Sequence, residues 1–366
     1  MYLATPKIIS SLTNYRMEHI EYKEIAWIKK ITGSFPRHPM QVNQVFEADS
    51  EIISLDGLQA PYLVVKTDGI HEEIIEGLYK EPSLIGWMSI TVTMSDLAAT
   101  GADPTGILLS LQIPKLYEES WMQALQQGIN DACVAYGTYI LGGDTNFSQQ
   151  ISIATTAVGF VSKPILRKGI QAGDLIYSTS ALGLGNGFAY SLFFNNSIQA
   201  SYKPYARLKE SKIIREFATA CIDTSDGLFP ALSVLAELNG TGLRFYQSLQ
   251  FILCTETKAV YEKSGIPAWL FLAGPHGEYE LLFSIPRSRQ VAFENACLDA
   301  CWQPLLLGET TSDKEVSFIS EDLAITCHPT EIANLFDKSG SNIQTYFNLL
   351  MEKHRQWCDF KTESSC

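Results

Sequence analysis

From about residue 44 onward the chain alternates short β-type runs with helix-type stretches, and it does so in two successive cycles. That pattern excludes all-helical bundles and all-β sandwiches and predicts a mixed α/β (α+β) fold. In the first cycle, Tyr62-Leu63-Val64-Val65 and Ile107 to Leu111 read as strands, with the helical stretch Leu84 to Gly101 between them. Tyr117 to Tyr136 is a second helical stretch, and Ile151 to Val158 a long strand. The second cycle begins near 163: Leu175 to Ser178 reads as a strand, Lys209 to Thr219 and Leu228 to Leu238 as helices. Tyr279 to Phe283 is a further strand that Pro286 terminates. The expected organisation is an N-terminal appendage (1–43, helical over Glu21 to Ile31), domains over 44–162 and 163–329, and a polar tail (330–366) with one amphipathic stretch, Ile343 to Trp357.

At 366 residues, with 46% hydrophobic and 18% charged residues, the chain has material for two sizeable cores and too little charge for disorder. Lys and Arg total 27 against 40 Asp and Glu, a formal charge of −13, which argues against nucleic acid as a partner. A phosphate-bearing ligand must then be received through metal ions or backbone amides. The eight cysteines form no CxxC pair and read as reduced thiols. No apolar run approaches the roughly 18 residues of a membrane span. The start of the chain lacks a basic region followed by an apolar core, so a cytoplasmic protein with no membrane partner is expected.

The densest chemistry lies in Gly86 to Pro104, GWMSITVTMSDLAATGADP. Trp87, Ile90, Met94, Leu97 and Gly101 recur at helical spacing as a buried face, and Ser89, Thr93, Asp96 and Thr100 form a second, polar stripe. Asp96 falls in the last turns, near the negative end of the helix dipole, where an acid is unfavourable unless a cation offsets it. Taken alone, a solvated surface Asp is the plainer reading. Ile140-Leu141-Gly142-Gly143-Asp144-Thr145 runs from an apolar strand into a glycine pair and an acid. It reads either as an ordinary turn or as backbone that lets a ligand approach closely. Cys221-Ile222-Asp223-Thr224-Ser225-Asp226-Gly227 sets two carboxylates three residues apart ahead of a helix. Ser225 or Asp226 would cap that helix, or its open amides would take phosphate while hard oxygens hold Mg²⁺. Asp68 ends a strand ahead of Gly69, and Asp49 is one more acid of this kind. The chain has no GxxxxGK[ST] loop, HRD or DFG set, GxSxG elbow or HExxH helix, and Gly183-Leu184-Gly185-Asn186-Gly187 is a strand-to-helix turn rather than GxGxxG.

SDLAATGADP (95–104), GGDT (142–145), LRKGIQAGD (166–174), IDTSDGL (222–228) and GEYELLF (277–283) occur in this order over about 190 residues. Together they resemble thiamine-monophosphate kinases, of the superfamily that includes aminoimidazole ribonucleotide synthetase, selenophosphate synthetase and the hydrogenase maturation carbamoyl dehydratase. The resemblance implies a two-domain fold whose N-terminal domain contributes to a β-barrel shared across a homodimer, with ATP and several Mg²⁺ ions bound by dispersed aspartates. Carried over position by position, it implies Asp49, Asp68, Asp96, Asp144, Asp223 and Asp226 as metal ligands. Asp96, Asp144 and Asp226 would be the catalytic acids. Thr67, Gly143, Asp144, Thr145, Arg167 and Ser225 would bind the nucleotide, and His71, Glu278 and Tyr279 would face a small phosphorylated acceptor. The family's GDDAA is here Glu47 to Glu51, one acid short; its TTDMxVEGxHF is shortened to Lys66 to Glu73; its GGEDYEL is Pro275 to Leu281. KTDGI is similar instead to the TDGVGTK segment of the synthetase branch. The implied activity is direct phosphoryl transfer from ATP to the acceptor, with acid residues converging from far apart in the chain. Two alternatives stay open: a synthetase that activates a carbonyl or amide oxygen, and a non-catalytic nucleotide-binding relative.

Overall fold

The computed structural model describes Tyr22, Ile25 and residues 42–44, 46–54, 62–114, 116–195 and 200–364. The helix expected over Glu21 to Ile31 therefore lies almost wholly outside the described residues.

The first half runs β1 (Glu51–Ile53), β2 (Tyr62–Gly69), α1 (His71–Glu76), α2 (Pro82–Ala99), β3 (Asp103–Pro114), α3 (Glu119–Tyr136), β4 (Ile140–Ser148) and β5 (Ser152–Val161). Its strands form one sheet in the order β1-β2-β5-β3-β4, antiparallel except for the β3–β4 pair. β5 alternates strictly between buried and half-buried side chains, the period of a sheet with one face on a core. α2 starts with Pro82 in its first turn, where a missing amide costs nothing, and ends ahead of Gly101. It was expected to be amphipathic. Instead every residue from Ile85 to Ala99 is buried, because the helix lies against the sheet and α3 on some sides and against the second half of the chain on the others. The hydroxyls of its buried polar residues are satisfied within the protein. The Thr155 hydroxyl donates to the Ser89 carbonyl at 2.7 Å, Thr93 pairs with Thr155 at 3.1 Å, and Thr91 pairs with the Tyr136 hydroxyl at 2.8 Å.

The second half runs β6 (Leu175–Ser178), α4 (Leu184–Phe193), α5 (Leu208–Phe217), β7 (Ala220–Asp223), α6 (Leu228–Asn239), β8 (Gly242–Phe245), α7 (Thr255–Ser264), β9 (Leu281–Ile285), α8 (Gln290–Asp299), β10 (Leu305–Thr311), β11 (Val316–Ser320) and β12 (Leu323–Cys327). The strand order is β12-β11-β8-β10-β6-β9-β7. β6, β7 and β9 are buried on both faces, which explains their mostly apolar sequences. Leu175, Tyr177, Cys221, Leu281 and Phe283 join the core that also holds α2, whereas Ile176, Ile222 and Leu282 join a second core beneath α6. One core thus spans both halves.

Short helices α9 (Pro329–Ala333) and α10 (Leu335–Lys338) precede α11 (Ile343–Ser364). The stretch read as a polar tail packs into the second core through Ile332, Tyr346 and Leu350, and Trp357 sits edge-on to Trp269. Among the described residues no helix is long and apolar enough to cross a membrane.

Candidate active site

A cavity of about 790 Å³ opens between β2, the end of α2 and the β7–α6 corner. Carboxylate oxygens of Asp49, Asp96 and Asp223 lie within 4.8 Å of one another at its floor, and all three residues are at most 5% exposed. Each comes from a different place: Asp49 from the loop before β1, Asp96 from the last turn and a half of α2, Asp223 from the end of β7. The Ser95 hydroxyl donates to Asp223 Oδ2 at 2.6 Å and Ser225 donates to Oδ1 at 3.1 Å. Arg167 donates from Nε to Asp49 Oδ1 at 2.7 Å and from Nη2 to the same oxygen, while Asp49 Oδ2 is buried with no hydrogen-bond partner. Lys66 on β2 holds its Nζ 3.3 Å from Asp96 Oδ2 and 3.7 Å from Asp68 Oδ2.

Crowding acids in this way is unfavourable without cations. Burial pushes Asp96 well above the usual carboxylate range, opposed by the Lys66 ammonium and reinforced by Asp223 and Asp68. Burial, then the Asp49 charge, pushes Asp223 up to about 6, with the Ser95 hydrogen bond working against them. For Lys66 burial favours the neutral amine, but Asp96 and Asp68 outweigh it and hold the ammonium above its ordinary value. Three buried acids with one orphaned oxygen form a donor set that fits a hard divalent cation such as Mg²⁺.

Asp68 and Asp226 line the same cavity, as do Thr67, His71, Arg167, Ser225 and Tyr279. The Thr67 hydroxyl pairs with that of Thr156 at 2.7 Å, and His71 Nδ1 bonds the Ile151 carbonyl at 3.0 Å. α6 begins at Gly227, which has no side chain to cap it, and Gly227, Pro230 and Ala231 line the cavity.

Three expectations are corrected. Asp144 does not join the acids: it pairs with Ser110, Ser110 with Ala154 and Ala154 with Gly69, which puts it three strands, or about 14 Å, across the sheet from the end of β2. The glycine pair is no turn and its close approach is not to a ligand within this chain. Gly142 and Gly143 lie inside β4, and a Cβ on Gly143 would fall 1.8 Å from the Leu109 carbonyl oxygen of the neighbouring strand. Gly143, Asp144 and Thr145 stand exposed on the sheet edge. Glu278 turns away from the cavity. It is 2% exposed and accepts the Gly183 amide at the start of α4 at 2.8 Å. Burial above all pushes Glu278 up to about 8.

The motifs passed over Lys66, whose place beside Thr67-Asp68 was its only signal. They also passed over Glu73, which lines the cavity and which burial pushes up to about 7.

Residues 48–161 match the family model for the AIR synthase related protein, N-terminal domain. A thiamine-monophosphate kinase of Aquifex aeolicus is 29% identical over 254 residues, 66% of this chain and 83% of that one. One of Methanocaldococcus jannaschii is 31% identical over 227 residues, 57% of this chain and 69% of that one. The solved structure of AaThiL complexed with AMPPCP and TMP superposes with a TM-score of 0.66 at 25% identity, covering 81% of this chain and 92% of that chain. HypE in the HypE–HypF complex shares the fold, with a TM-score of 0.65 at 16% identity over 83% and 98% of the two chains. The two-sheet fold and the cavity motifs agree with these likenesses, and the chain belongs to the thiamine-monophosphate kinase family of AIR synthase-related proteins.

Proposed function

We propose that the chain is an ATP-dependent kinase that transfers the terminal phosphoryl group of ATP to thiamine monophosphate. A phosphate oxygen of the acceptor bonds to the γ-phosphorus as the bond from that phosphorus to the β–γ bridging oxygen breaks, giving the diphosphate and ADP. The observation that carries this reading is the convergence of Asp49, Asp96 and Asp223 at the floor of the cavity, in a chain whose relatives are thiamine-monophosphate kinases. Such transfer leaves a protein little covalent work and asks it to position and neutralise the phosphates. The net charge of −13 leaves that neutralisation to cations.

Asp49, Asp96 and Asp223 would hold Mg²⁺, with Asp68 and Asp226 at the edge of the same cavity. Bound there, the metal would supply positive charge to the polyphosphate. Arg167, braced by Asp49, would steady the phosphate chain, and Thr67 and Ser225 would contact the nucleotide. The start of α6 at Gly227 borders the same cavity, where the positive end of the helix would favour the phosphates. His71 and Tyr279 would border the acceptor.

We further propose a homodimer. β4 is exposed along almost its whole length, and Tyr139, Leu141 and Phe147 are 70%, 58% and 62% exposed. A second copy covering this edge would bury an apolar patch and bring Gly143, Asp144 and Thr145 to the nucleotide of its neighbour. Cytoplasmic placement accords with the seven described cysteines, none of which is in a disulfide.

Incubation with ATP, Mg²⁺ and thiamine monophosphate tests the activity. Thiamine diphosphate and ADP in equal amounts are expected. Release of inorganic phosphate without the diphosphate would assign the synthetase chemistry instead.

A further inference from the structure

We infer that the ammonium of Lys66 is a built-in cation that stands in for one divalent ion between Asp68 and Asp96, so that this chain loads fewer divalent ions than its acids would accept without it. The inference rests on the reading above that the acidic floor binds divalent cations. Along β2, residues two apart share a face, so Lys66 and Asp68 point the same way, toward Asp96 on α2. The Lys66 Nζ lies 3.3 Å from Asp96 Oδ2 and 3.7 Å from Asp68 Oδ2. A Mg²⁺ ion bound to either oxygen would sit about 2 Å from it, crowding the ammonium at a distance where two cations repel strongly. Asp96 also belongs to the trio: Asp49 Oδ2 has no partner, and Asp49, Asp96 and Asp223 present oxygens within 4.8 Å of one another. Asp96 therefore belongs both to a trio that keeps an open oxygen and to a pair whose charge Lys66 partly offsets. An ammonium carries one charge against the pair's two and donates three hydrogen bonds, so it offsets half of the pair's charge without orienting a polyphosphate as a metal would.

The test is a Mn²⁺ titration of the full chain, followed by calorimetry and by the electron paramagnetic resonance of free Mn²⁺, for the wild type, K66M and K66R. K66M should take up one more Mn²⁺ per chain, or bind the shared ions at least about tenfold more tightly. K66R, which keeps the charge, should match the wild type. Equal stoichiometry and affinity in K66M and wild type would overturn the inference while leaving the metal centre intact. No Mn²⁺ uptake by any of the three proteins would remove the metal centre and the inference with it. Should K66M unfold for want of a counter-charge, Mn²⁺ should restore its circular dichroism where K⁺ at equal ionic strength does not. Failure of Mn²⁺ to restore both K66M and K66Q would also overturn the inference.

Discussion

Ser95, on the central helix of the first half, donates its hydroxyl to Asp223 Oδ2, on the last residue of a strand in the second half, at 2.6 Å. The contact is buried and spans 128 positions of sequence. It fixes which way the Asp223 carboxylate faces and so shapes the oxygens offered at the cavity floor. S95A leaves that carboxylate with one donor fewer. A loss of about 1.5–3 kcal/mol in urea-unfolding stability is expected, together with weaker Mn²⁺ binding. A variant that keeps wild-type Mn²⁺ affinity would show that the hydroxyl serves packing alone.

D96N and D223N keep the shape of the side chains and remove their charge. ATP turnover should fall by about a hundredfold or more, since cation neutralisation of the phosphates supplies several kcal/mol. Metal-free stability of D223N should not fall, because an acid that burial disfavours has been replaced by a neutral amide. Steady-state turnover beside urea denaturation separates the two effects.

Glu278 carries a pH signature away from the cavity. Its carboxyl is held at about 8 in the fold against an ordinary 4.5, so between those values the unfolded chain has lost a proton that the folded one keeps. Folding stability from this group therefore declines as pH rises from about 4.5 to about 8. E278Q, which can still accept the Gly183 amide, should lack that decline and gain on the wild type by a few kcal/mol at about pH 8. Urea midpoints measured across this range decide it.

The exposed edge strand predicts a further outcome. F147E puts a charge in the middle of the apolar patch of Tyr139, Leu141 and Phe147. Sedimentation should show a dimer for the wild type and a shift toward monomer for the variant, with turnover falling in parallel if Asp144 serves a neighbouring site.

The readable part of this protein was whatever its chemistry writes into short segments. Asp96 stood out because an acid near the carboxyl end of a helix needs a counter-charge, and Asp223 because it sits at the strand–helix corner. Strand order is a different matter. Nothing in the local sequence places β4 beyond β3, and that order alone separates Asp144 from Asp68. The glycines of β4 were legible as a close approach, but the approaching atom is a carbonyl of the adjacent strand. Glu278 turned inward because α4 starts opposite it with an amide to satisfy, a partner 95 positions away. Lys66 belongs to no periodic pattern, and its meaning came only from what faces it.

The burial of α2 on every side has one more consequence. Since the same helix carries Ser95 and Asp96 and wedges between both halves, a bound ion would act as a clasp, drawing oxygens from bodies that a small slide would pull apart. The grip on that ion then gauges how squarely the halves are seated, and damage far from the floor would register there first as looser metal retention.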